Sequence, residues 1–260
     1  DEEASVEASV ESAQRGPRPV VVLGSSPYSG ASRRNDLGMA GLEFRFLGDF
    51  AVLRDGRPLP LPPSKKTRAL LAYLSLQPRR FRREQLAELL WDVPDDPLGS
   101  LRWSLSKLRR LVDDPACTRL QADRSTVVLD PAGVVIDVCE LRALVAGGLA
   151  QVGTERLEDR EAACRGTFLE GLEFSNFHHF RTWCVDARSQ ALRDRAALLG
   201  ELVSRAAGMP ERALPHARAL VGLFPYEESH RANLIRLLNA ARQPAEAEEQ
   251  YQLGLRMLKE

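Results

Sequence analysis

The stretch PLGSLRWSLSKLRRLVDD, residues 97–114, constrains this chain more than any other. At 3.6 residues per turn Leu101, Leu105, Leu108 and Val112 fall on one stripe at i, i+4, i+7 and i+11, which predicts a helix with one buried face. Asp96 is placed to cap it, Pro97 suits its first turn, and Asp114-Pro115 ends it. The remaining surface carries Arg102, Trp103, Ser106, Lys107, Arg109 and Arg110, a basic face with an exposed indole. The fold must supply a core for one side of this helix and a partner for the other.

The flanking segments suggest that core. From Leu42, LEFRFLGDFAVLRDGRPLPL alternates apolar and polar residues with turn signals at Gly48-Asp49 and Asp55-Gly56, predicting a small antiparallel sheet. PSKKTRALLAYLSLQ places Leu70, Leu71 and Leu74 on a helical face, and RREQLAELLW follows with Leu86, Leu89, Leu90 and Trp91. These are two short helices separated by a turn. After the basic helix, TRLQADRSTVVLD alternates on both sides of Ala122-Asp123-Arg124, as a hairpin does. The order is therefore sheet, three helices, hairpin.

Beyond Val138 only helical periodicity remains. AAGMPERAL at 206–214 and AARQPAEAE at 240–248 repeat at an offset of 34 residues, the tetratricopeptide period, with Pro210 aligned to Pro244 and Ala213 to Ala247. Pro225 sits where such a repeat turns. The expected fold is mainly α with a small β component: a flexible leader over 1–41, a winged helix-turn-helix domain over 42–136 and an all-α tetratricopeptide-like domain over 137–260. In the leader, rich in Ser, Gly, Pro and charge, PVVVLGSS at 19–26 is the one apolar segment and Met39 a candidate start. The pattern at Lys259-Glu260 is still helical, so a longer native chain is expected.

Charge is balanced overall, 36 Lys and Arg against 36 Asp and Glu. Its distribution is uneven: residues 42–136 hold sixteen basic and twelve acidic side chains, the only third with a positive excess. Such an excess matters if it converges on one surface. Cys117, Cys139, Cys164 and Cys184 form no C-x-x-C pair and read as reduced thiols. No apolar run approaches the roughly 18 to 20 residues of a membrane span, and the acidic start is unlike a signal peptide, so a cytoplasmic protein is expected.

Catalytic and metal-binding patterns are missing. Ser104 to Lys107 matches S-x-x-K, but its companion motifs are absent, and no phosphate-binding glycine loop or H-E-x-x-H occurs. His178 and His179 are adjacent, expected to point apart and unsuited to an i, i+4 metal pair. Phe180 and Trp183 read as core of the helical domain. No enzyme activity, metal or cofactor is expected.

Residues 61–91, LPPSKKTRALLAYLSLQPRRFRREQLAELLW, with Arg-Glu-x-Leu and a closing Leu-Trp, and 100–114, SLRWSLSKLRRLVDD, resemble the winged-helix DNA-binding domain of OmpR-type response regulators. With GTFLEGLEFSNFHHFRTWCVDAR at 166–188 and the repeats after it, residues 42–260 resemble the actinobacterial antibiotic-regulatory activators (SARP type), whose second part is a bacterial transcriptional activator domain. No phospho-acceptor receiver precedes the winged helix in this sequence, so control by that route is not expected.

The resemblance implies that helix 97–113 enters the major groove of double-stranded promoter DNA. Arg102, Trp103, Ser106 and Lys107 would read bases. Arg109, Arg110, Lys65, Arg82, Arg83, Arg119 and Arg124 would hold the backbone. It also implies direct-repeat sites filled by side-by-side protomers and contacts with RNA polymerase at sigma region 4 and the β flap. The expected function is a sequence-specific activator of secondary-metabolite or pathway-specific genes. The alternatives are a protein-interaction scaffold, or the regulatory front end of a larger signalling protein.

Overall fold

The computed structural model describes residues 41–91, 96–115 and 117–257. PVVVLGSS, Met39 and the rest of the expected leader before Gly41 lie outside them, as does Lys259-Glu260.

Alternating burial at Leu42 and Phe44 makes β1 (Leu42–Arg45) a strand with one face inward. It pairs antiparallel with β2 (Ala51–Arg54), which turns through Asp55 and Gly56, both at positive φ, into β3 (Arg57–Pro58). That two-residue Asp-Gly turn has the backbone twist a tight hairpin requires. Then come α1 (Lys65–Leu76), the short β4 (Phe81–Arg82), α2 (Arg83–Leu90) and α3 (Pro97–Val112). β5 (Leu120–Ala122) and β6 (Thr126–Leu129) form the hairpin, and β4 joins it in the order β4-β6-β5. β7 (Val134–Ile136) returns to the first sheet and lies parallel to β1, in the order β3-β2-β1-β7. The sheet is thus mixed where pure antiparallel pairing was expected, because its last strand comes from beyond the hairpin.

The helical part comprises α4 (Asp137–Ala146), a 3-10 turn at Leu149–Gln151, α5 (Thr154–Ala163), the long α6 (His178–Arg205), α7 (Pro210–Leu223), α8 (Glu228–Ala240) and α9 (Pro244–Met257). The 34-residue echo falls on equivalent turns. Pro210 and Pro244 open α7 and α9, and Ala213 and Ala247 are buried where neighbouring helices approach.

One hydrophobic core runs without a break from Leu42 in β1 to Leu202 in α6. At the junction Asp137 opens α4, and its buried carboxylate accepts the Phe46 and Leu47 N–H groups at 2.9 Å and its neighbour Val138 N–H at 2.8 Å. Burial pushes its pKa above the ordinary aspartate value despite those donors. The turn after β1 also clasps the segment before α6. Gly48 N–H donates to Thr167 O at 3.0 Å, Leu169 N–H to Phe46 O at 2.8 Å, and Leu47 bridges Phe168. Gly48 sits at φ +96°, and a Cβ on Gly166 would stand 2.8 Å from its Cα, so the clasp requires glycine at both positions. Phe180 is buried as expected. Trp183, half-buried, packs on Phe180 as expected and also meets Tyr73 of α1 edge-on at 4.9 Å, so it serves as junction.

A candidate nucleic-acid interface

Helix α3 forms as its sequence predicts. The Asp96 side chain accepts Gly99 N–H at 2.7 Å, Pro97 occupies the first turn, and Leu101, Leu105, Leu108, Leu111 and Val112 are buried. Ser104 is buried too, its hydroxyl 2.9 Å from that of Thr67 in α1. This satisfied polar pair fixes the rotation of α3 against α1.

That rotation turns Arg102, Trp103, Ser106, Arg109 and Arg110 outward, with Lys107 half-exposed beside them. Trp103 is 48% exposed, and the Lys107 ammonium lies over its ring, 5.2 Å from the centroid. Arg109 leans toward the hairpin and donates to Ala122 O at 3.3 Å. Arg83, at the start of α2, donates through Nε to Asp123 O at 2.8 Å and through its backbone N–H to Ser125 O at 2.9 Å. Both side chains therefore brace the hairpin, with other guanidinium donors left over.

The hairpin tip is rigid for a second reason. The Asp123 carboxylate accepts the Thr126 and Ser125 N–H groups, each at 2.7 Å, and both hydroxyls, which hold its pKa far below the carboxylate range. Exposed Arg124 sits on this tip, and exposed Arg82 faces Thr126 across the β4–β6 pair. Lys65 is exposed in the first turn of α1.

Arg119 departs from the expected set. It is 1% exposed, and Nη1 donates to Val112 O at 3.0 Å and to Asp114 at 2.8 Å. It joins the end of α3 to β5 from inside and has no path to a phosphate. Alternation marked the hairpin correctly but not the inward turn of the residue just before its strand. Conversely, Arg79 and Arg80 stand exposed beside β4, Arg79 over the Phe81 ring at 4.1 Å, and were not singled out. The run PRRFRR at 78–83 was the available signal.

Among the described residues no group of three or more His, Cys, Asp or Glu could hold a metal. The His178 and His179 rings do not diverge: their centroids are 5.8 Å apart. Burial pushes the Cys164 thiol up to about 12 and raises that of Cys184, keeping both protonated and poorly nucleophilic. No described helix is long and apolar enough to cross a membrane.

Residues 136–260 match the family model of the bacterial transcriptional activator domain. No curated protein sequence matches the chain. Among solved structures the fold is similar to that of Mycobacterium tuberculosis EmbR in complex with a low-affinity phosphopeptide, at 22% identity and a TM-score of 0.58. That likeness covers 82% of this chain and 59% of the EmbR chain, so the chain spans less than two thirds of that chain's length. The second half of the chain is thus similar to the bacterial transcriptional activator domain, and it follows a winged-helix fold.

Proposed function

We propose that this protein is a transcriptional regulator of the SARP type, a sequence-specific DNA-binding activator acting in the cytoplasm without catalytic activity of its own. The supporting observation is convergence: Arg102, Trp103, Ser106, Lys107 and Arg110 face outward from one helix, and a braced hairpin stands beside it. An α-helix fits the major groove, whose base edges differ in donor and acceptor pattern. Arg102 and Lys107 would donate to guanine, with Trp103 and Ser106 completing the base-reading set. Arg110, Arg109, Arg82, Arg83, Arg124 and Lys65 would meet phosphates, joined by Arg79 and Arg80. A scaffold would call for acidic or apolar side chains on this face of α3.

In this reading residues 42–136 bind promoter direct repeats. Residues 137–260 serve contacts between protomers and with RNA polymerase, at sigma region 4 and the β flap, to activate pathway-specific or secondary-metabolite genes. Binding of labelled promoter duplexes across a salt series tests it. Affinity should fall steeply with salt through counterion release, and Arg102→Ala with Lys107→Ala should abolish discrimination between sites, each bidentate contact being worth ~1–3 kcal/mol. Absent or salt-insensitive binding by the folded protein overturns the reading.

A further inference from the structure

Trp103 and Lys107 stand four residues apart on α3, on neighbouring turns of one face. The indole is 48% exposed, so the core does not hold it there, and it carries the Lys107 ammonium at 5.2 Å from its ring centroid. Arg109, two residues further on, is instead drawn to the hairpin carbonyl of Ala122. Lys107 is the cation on this face that an aromatic ring positions.

A lysine ammonium is a compact point charge on a flexible stem, suited to any phosphate and selective for none unless something fixes it. We propose that Trp103 is a positioning residue for Lys107, holding the ammonium at one place on α3 so that Lys107 donates to one guanine rather than to any nearby acceptor. Guanine presents O6 and N7 as acceptors in the major groove, and an ammonium can only donate. The attraction between ring and cation strengthens as water leaves, so the pair is best ordered when α3 is seated in DNA. The proposal rests on α3 being the DNA-reading helix.

The test is a double-mutant cycle on the whole chain, using a duplex recovered by selection from random DNA and a scrambled duplex at fixed salt. Trp103→Leu should cut the ratio of specific to scrambled affinity about two- to fivefold beyond any loss it causes in a Lys107→Ala background, the size of an exposed cation–π contact. Trp103→Phe, which keeps a π face, should recover part of that loss. The salt slope on scrambled DNA should not change, since no phosphate contact is removed. Additive losses, or equal weakening on both duplexes, overturn the proposal while leaving DNA binding intact. Failure of the unmodified chain to bind either duplex overturns the functional reading, and this proposal with it.

Discussion

Two hydrophobic clusters divide the molecule unequally. The first joins both sheets, α1 to α3 and the helical part as far as Leu202. The second, between α7, α8 and α9, is built on Leu214, Ala217, Leu234, Leu238 and Ala247. The boundary drawn from sequence at 136/137 runs through the middle of the larger core. The two clusters meet near the end of α6, whose Phe180, Leu198 and Leu202 belong to the first and whose Val203 packs on the second. Helix α3 and the helical part as far as α6 should therefore move as one body, and the final helical hairpin should open first.

The strongest way to break this comparison is to cut each cluster. Leu105→Ala, at a site 2% exposed, should cost ~2–5 kcal/mol of global stability in denaturant unfolding. Leu238→Ala should speed hydrogen exchange in α8 and α9 and leave α1 to α3 protected; equal loss of protection in both regions would mean that the two clusters unfold together. Next comes the junction. Asp137→Ala leaves the Phe46 and Leu47 N–H groups without their acceptor, and calorimetry should show a loss of ~2–4 kcal/mol from those buried donors. A loss near zero would mean that the clasp at Gly48 and Gly166 suffices alone.

The smallest effect concerns the second cluster in acid. The Arg218 guanidinium on α7 donates to both Glu246 carboxylate oxygens on α9 at 2.8 Å, holding that carboxyl below the ordinary glutamate value of 4.5. A depressed folded pKa means that the contribution is present above the unfolded value and is lost as pH falls through the folded one. Protection of α9, measured against the intrinsic exchange rate at each pH, should fall on acidification below about pH 4.5, and Glu246→Gln should remove that response while the first cluster keeps its protection.

Much of the candidate interface was legible because a helix repeats on a short period. The stripe of Leu101, Leu105, Leu108 and Val112 determined which side of α3 would be buried and hence which basic residues would face out. The 34-residue echo likewise located the turns before α7 and α9. Less could be read wherever burial depends on residues distant in the chain. Arg119 looked like one more surface arginine, yet the end of α3 and the Asp114 carboxylate close over it. Arg83 and Arg109 looked like free cations, yet both reach the carbonyls of the 122–123 turn.

From sequence alone came the helices, the hairpins, the basic face and the resemblance, because periodicity, capping and turn chemistry act within about a dozen residues. The tertiary structure decided what those elements share. Parallel pairing of β7 with β1, the Asp137 carboxylate under the β1 turn and Trp183 against Tyr73 join residues some 90 to 110 positions apart. No local pattern encodes such contacts, since they arise only when apolar faces and buried polar groups must be satisfied together.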